Sequence, residues 1–298
     1  MFEKIIGNDK IKELLKNSVK TNQTSHSYLF IGTEGIGKKQ IAREFAKMLL
    51  CVEEERYGNN CKSCIEFDTQ NNPDFMEIEP DGNSIKIEQI RNLQRKVVEK
   101  PIISNKKVYL INDSDKMTQE AQNCLLKTLE EPPEFVTIIL IGANENSFLS
   151  TIKSRCMIIH FEEIPDKQIQ DFLTENYGIT IQSENMLKTF QGSIGKAIEL
   201  KDKQEQYQAI ENLILNLESK DELEILKQAE IFSGVKEDIQ DMLDYCNSLF
   251  LTLAKRASKY TRCIQIVENT KKRLKSNSNY DMTIDNMIFN CYEEVNRK

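Results

Sequence analysis

The 298-residue sequence has no tryptophan, two histidines, six prolines and eleven glycines. It also lacks any run of about 18 apolar residues, the length that a membrane-spanning helix requires. A membrane-embedded protein is therefore excluded. The N-terminal stretch MFEKIIGNDKIKELLK carries charges at every turn, which rules out the apolar segment of a signal peptide. A secreted, disulfide-stapled domain is excluded with it. The expected setting is the reducing cytoplasm, where the eight cysteines would serve metal binding if clustered and packing if single. His26 and His160 have no partner at a spacing that suits metal ligation or catalysis. The scarce helix breakers are also unevenly placed. No proline follows Pro165 and no glycine follows Gly234. Everything beyond Gly234 can read as helix, with breaks only at polar patches such as Ser276-Asn277-Ser278-Asn279.

What is present is charge and pattern. Forty basic and 47 acidic side chains give a formal net charge of −7, with 39% apolar residues to build cores. The acidic balance argues against coating nucleic acid wholesale but leaves room for a local basic face. Short runs rich in β-branched and aromatic residues, Ser27–Gly32, Val108–Asn112 and Val136–Gly142, have strand length. Helical patterns lie between them at Ile11–Lys20, Lys38–Cys51, Ile87–Val98 and Gln119–Leu129. Such alternation predicts a parallel sheet covered by helices on both faces. A further strand at Cys156–Phe161 leads to a helix start at Pro165-Asp166. The fold class expected is α/β plus all-α, with an α/β domain over 1–165, a small helical domain over 166–203 and a larger helical one over 204–298.

The segment Gly32-Thr33-Glu34-Gly35-Ile36-Gly37-Lys38 follows a strand and opens a helix. Gly32, Gly35 and Gly37 would let backbone N–H groups turn toward a phosphate, with Lys38 and the helix dipole adding positive charge. The next position in a phosphate loop is Ser or Thr, whose hydroxyl ligates Mg²⁺. Here it is Lys39, which cannot do so. The strand Lys107–Ile111 should end in Asp then Glu, for metal and water respectively. It ends in Asn112-Asp113. Asp113 and Asp115 read equally well as turn and capping residues. Two independent defects in one site argue against ATP hydrolysis and make ATP binding by this chain an unfavoured reading. Two rivals remain open: an active P-loop ATPase in which Lys38 suffices and Asp113 takes the metal, and a motor subunit of a larger assembly.

Taken together, His26-Ser27-Tyr28-Leu29-Phe30, the phosphate loop, Leu125-Leu126-Lys127-Thr128-Leu129-Glu130-Glu131-Pro132-Pro133 and Ser154-Arg155-Cys156 resemble bacterial clamp-loader subunits in order and spacing. Those are AAA+ proteins that place a ring-shaped sliding clamp on primed DNA. The likeness covers residues 1 to about 200, and it implies an AAA+ domain, a helical lid and a C-terminal helical collar. The degenerate site makes the chain similar to the members that do not hydrolyse ATP rather than to the tau/gamma ATPases. The implied partners are tau/gamma and delta subunits, with transient contact to the sliding clamp and primer-template DNA. Activity would belong to a DNA polymerase III holoenzyme rather than to this chain alone.

The resemblance also assigns residues. Arg155 would be an arginine finger acting on ATP held by a neighbour, where a permanent planar cation stabilises charge on the transferred phosphoryl. Without the family it reads as a surface ion-pair residue. An ATPase member would carry a sensor arginine where Gly195 stands, with Lys196 one residue away, and a polar sensor near Asn144. The family has a four-cysteine zinc module at 51–72. Here Cys61-Lys62-Ser63-Cys64 supplies one pair and Cys51 a third thiol. Gly58 and Phe67 stand where further cysteines would be sought. Asp68 or one of Glu53–Glu55 could complete a zinc site, the metal could be lost, or the pair could be redox-active. Cys124, Cys156, Cys246, Cys263 and Cys291 read as packing residues. Backbone contacts to DNA could come from Arg91, Arg95, Lys96, Lys100, Lys106 and Lys107, with the Lys271-Lys272-Arg273 cluster of the same status, while a solvated charged surface is the default reading for all of them.

Overall fold

A computed structural model describes residues 2–3, 5–53, 60–276 and 278–297. The chain forms two compact units, one of residues 1–169 with 192–195 and one of residues 170–191 with 196–298.

The first unit is built on five strands: β1 (Ser27–Ile31), β2 (Phe75–Ile78), β3 (Lys107–Ile111), β4 (Val136–Gly142) and β5 (Met157–His160). They lie in the order β2-β3-β4-β1-β5, and every pairing is parallel. The helices before and between them are α1 (Asp9–Lys20), α2 (Lys38–Leu50), α3 (Lys62–Asp68), α4 (Ile87–Val97), α5 (Gln119–Glu130) and α6 (Ser150–Lys153). Side chains alternate across the sheet because the strand period is two. Tyr28, Phe30, Val108, Leu110, Ile139 and Ile141 face one core with Leu15, Ile41 and Phe45 of α1 and α2. Leu29, Ile31, Tyr109, Ile111, Ile138 and Leu140 face the other, with Leu93 of α4 and Leu125 of α5. Both faces are dry, so β1, β3 and β4 are buried at every residue. The sequence readings of β1, β3, β4 and the four helices hold to within two residues. Edge strand β2 and helix α3 went unread, because β2 is only half-buried and α3 lies in the cysteine insertion.

The topology places the loop after β1 at a switch point. β1 pairs with β4 on one side and β5 on the other, so the chain leaves its carboxyl end into a crevice, the usual ligand position in open parallel sheets.

The second unit is helical. Its boundary with the first falls within α7 (Asp166–Tyr177) and within α9 (Ile194–Leu200), and it holds α8 (Glu184–Thr189) and α10 (Gln204–Leu215). It also holds α11 (Glu222–Gln228), α12 (Ile239–Ala254), α13 (Thr261–Lys275) and α14 (Tyr280–Asn296). Leu213, Met242, Cys246, Leu249, Cys263, Val267, Met287 and Cys291 are buried here at helical spacing. The chain breaks once more than the polar patch at 276–279 suggested. α12 stops at Ala254, and a 3₁₀ turn at Ser258–Tyr260 precedes α13. The reason is local: Lys255, Arg256, Ser258 and Lys259 are exposed, and the apolar stripe resumes only at Tyr260 and Cys263. Glu211 ties this unit together by accepting from Ser183 at 2.7 Å, Asn185 at 2.8 Å and Tyr245 at 2.8 Å. Among the described residues, no helix is long and apolar enough to cross a membrane.

Candidate functional site

The loop from Gly32 to Lys38 has the backbone that a phosphate cradle needs. Gly35 and Gly37 adopt φ of 75° and 92°, which L side chains rarely tolerate. Lys38, only 7% exposed, turns back into the loop and donates to the carbonyls of Gly32 at 2.6 Å and Thr33 at 2.7 Å. Burial lowers its pKa, against the opposing pull of Glu34, Asp115 and Asp113. The loop tip is in contact with α9. Gly195 N–H donates to the Gly35 carbonyl at 2.9 Å, and a Cβ on Gly195 would come within 2.9 Å of Gly35 Cα. Gly195 is therefore packed against the phosphate loop itself. Lys196 pairs with Asp241 at 3.2 Å.

Lys39 points away from that loop. Its ammonium sits 2.7 Å from Glu77 and 2.5 Å from Glu79, at the carboxyl end of β2, and Arg43 also pairs with Glu77. Burial works to lower the Lys39 pKa, but the two carboxylates outweigh it and raise the value. The place of a neutral metal-ligating hydroxyl is thus taken by a cation with its own anionic partners. At the end of β3, Asp113 holds a left-handed backbone with φ 46° and accepts from Lys116 at 3.1 Å. Asp115 caps the end of β4 by accepting from the N–H groups of Ala143 and Asn144 at 3.2 Å each. The Asn144 side chain accepts from Asn146 N–H at 3.0 Å. Both aspartates and Asn144 therefore have structural work in this chain.

Arg155 lies at the surface, just beyond the short helix α6. Its Nη1 donates to the Thr151 carbonyl at 2.8 Å and to Ser154 Oγ at 3.2 Å. Its Nη2 donates to Glu130 Oε1 at 2.5 Å. Glu130 is the last residue of α5 and belongs to the Leu125–Pro133 block, although nothing in the sequence marks it as the arginine's partner.

Cys51, Cys61 and Cys64 come together, with their sulfur atoms all within 4.8 Å of one another. Cys51 follows α2, and Cys61 caps the N-terminus of α3 by accepting from Cys64 N–H at 3.4 Å. Burial works to raise the Cys61 pKa, but hydrogen bonds from the Val52 and Cys64 backbone and from the two other thiols bring it below the ordinary thiol value. Burial raises those of Cys51 and Cys64. The spacing fits three thiolates sharing one ion of about 2.3 Å Zn–S reach. Among the described residues no carboxylate joins the three sulfurs. Asp68 is instead paired with Lys47 at 2.8 Å. Glu54, Glu55 and Gly58 lie outside the described residues.

The basic candidates divide. Arg95, Lys96 and Lys100 are exposed, and Arg91 pairs with Glu88 at 3.0 Å. Lys107 was misread: it is 4% exposed, and its ammonium donates to the Lys96 carbonyl at 3.2 Å. As the first residue of an all-buried strand it is drawn inward. Lys106 donates to Thr24 at 2.9 Å, and Lys271 is held by Asp244 and Glu268 at 2.6 Å each.

A family model described as DNA polymerase III, delta subunit, matches residues 7–165, more than half of the chain. The chain belongs to the DNA polymerase III delta subunit family. The Bacillus subtilis DNA polymerase III subunit delta' is 35% identical over 192 residues, covering 64% of this chain and 58% of that protein. The Haemophilus influenzae tau/gamma subunit is 35% identical over 213 residues, covering 67% of this chain and 30% of that protein. The chain thus spans well under two thirds of the length of these curated relatives. Among solved structures, a Thermotoga maritima DNA polymerase III gamma subunit-related protein aligns over 95% of this chain and 99% of that one, with a TM-score of 0.51 and 21% identity. That likeness concerns the fold, which is AAA+: a five-stranded parallel sheet with its phosphate loop after β1, followed by a helical region.

Proposed function

We propose that this chain is a clamp-loader subunit of a bacterial DNA polymerase III holoenzyme that does not turn over ATP itself. The observation that carries this reading is Lys39, whose ammonium is anchored by Glu77 and Glu79 at the position where an ATPase needs a metal-binding hydroxyl. The loss at Asn112 and the tying of Asp113 to Lys116 point the same way. In this reading the chain acts on a neighbour's nucleotide. Arg155 projects its guanidinium toward ATP held by an adjoining tau/gamma ATPase and stabilises charge that develops on the transferred phosphoryl, an effect worth about 10³–10⁵ in rate in other systems. Delta and tau/gamma subunits would complete the ring in the cytoplasm, with 166–203 as the lid and 204–298 as the collar. Arg95, Lys96 and Lys100 would meet primer-template DNA through its phosphates. Cys51, Cys61 and Cys64 would hold a structural zinc that ties the end of α2 to α3.

The test is calorimetric titration of the isolated chain with Mg²⁺-ATP beside a turnover assay, on the wild type and on a Lys39→Thr, Asn112→Asp variant. No turnover by the wild type is expected. Turnover by the wild type that is lost in Lys38→Ala would overturn the reading and make the chain an ATPase in its own right.

A further inference from the structure

An arginine that acts in trans has a problem of its own. Its side chain carries about 2 kcal/mol of rotamer entropy, and a finger accelerates a reaction only if the guanidinium is already where the charge develops. The surface around Arg155 addresses this. Nη1 is held by two acceptors from its own turn, the Thr151 carbonyl at 2.8 Å and Ser154 Oγ at 3.2 Å. Those contacts fix one corner of the planar group but leave it free to swing about that corner. The second corner is fixed from a different element: Nη2 donates to Glu130 at 2.5 Å. Glu130 closes α5, which is capped by Thr118 at its start and seated in the core through Leu125 and Leu129. Its carboxylate therefore comes from a rigid support.

We propose that Glu130 is the positioning residue for Arg155, holding the guanidinium plane so that its remaining N–H groups face outward toward a neighbour's triphosphate. This rests on the trans-acting reading of Arg155 given above. A half-exposed pair of this kind, with Glu130 at 49% and Arg155 at 31% side-chain exposure, contributes little to stability, so its loss will not unfold the chain. Its work is orientation.

The experiment uses the full complex, reconstituted with tau/gamma subunits of which only the one adjoining this chain keeps its phosphate-loop lysine. ATP turnover is compared for wild type, Glu130→Ala, Glu130→Gln, Arg155→Ala and the double variant. Arg155→Ala is expected to lose about 10³-fold in kcat. Glu130→Ala is expected to lose roughly 10- to 100-fold in kcat with KM for ATP unchanged. Glu130→Gln, which keeps an acceptor, should recover part of that loss. The double variant should be no worse than Arg155→Ala alone. Turnover by Glu130→Ala equal to or above wild type, with Arg155→Ala impaired, overturns the proposal and leaves the finger standing. Multiplicative losses in the double variant also overturn it. Full activity in Arg155→Ala overturns the finger reading and the proposal together.

Discussion

The contact between the phosphate loop and residue 195 can be tested by adding one carbon. A Cβ built on Gly195 lies 2.9 Å from Gly35 Cα and 3.4 Å from the Gly35 carbonyl oxygen, and both of these are backbone atoms that cannot rotate away. Overpacking of this kind costs about 1–3 kcal/mol. If the segment retreats, the Gly195–Gly35 hydrogen bond is lost as well, at about 0.5–1.5 kcal/mol. Against this, alanine is favoured over glycine within a helix by about 0.5–1 kcal/mol, and residue 195 is in the first turn of α9, where the gain is smallest. The clash outweighs the propensity, leaving Gly195→Ala destabilised by about 2 kcal/mol. For a unit of this size that is a fall in Tm of about 4–8 °C. Because tryptophan is absent, circular dichroism or calorimetry is the suitable readout. Gly195→Arg should fall at least as far and gain no nucleotide affinity. A Tm for Gly195→Ala within about 1 °C of wild type would refute the packing argument.

Two further outcomes follow from the geometry. Burial alone would raise the Glu211 pKa, but Ser183, Asn185 and Tyr245 hold the carboxyl below its ordinary value of 4.5. A depressed folded-state pKa means stability that is present above the unfolded value and lost as pH falls through the folded one. The Tm difference between wild type and Glu211→Gln should therefore be full near neutral pH and shrink below about pH 4.5. A difference independent of pH would show that the charge plays no part. For the cysteine cluster, one equivalent of Co²⁺ should give thiolate-to-metal absorption that Cys61→Ser and Cys64→Ser each weaken. Absence of that absorption in the wild type would rule out a three-thiolate site.

The parallel sheet and its two cores were legible because periodicity reports burial. Strands β1, β3 and β4 are dry on both faces, and runs that are mostly apolar, such as Tyr28–Ile31 and Ile138–Ile141, meet that demand. Edge strand β2 was not legible, since Phe75–Ile78 is half-buried and carries Glu77 among its apolar residues. That omission hid the partners of Lys39. The substitution itself was visible, but the carboxylates that hold its ammonium come from a strand about forty residues away. Arg155 could be named from its motif, yet Glu130 could not be named as its support, because 25 residues of chain separate them. Lys107 went wrong for a similar reason: a lysine next to a strand reads as solvated until the sheet draws its stem inside.

The sequence by itself determined the fold class, the phosphate loop with its missing hydroxyl and the three thiols, because each depends on residue type and short spacing, whereas Arg155 was singled out only by the family resemblance. Only the tertiary structure decided where the charges and contacts go. It anchors Lys39 to Glu77 and Glu79, folds Lys38 onto its own loop, packs Gly195 against Gly35, gathers three sulfurs within 4.8 Å and seats Arg155 on Glu130. Local pattern specifies which groups a chain owns. Ion pairs and close backbone contacts act over a few ångströms in space, so their partners are set by topology and not by proximity along the chain.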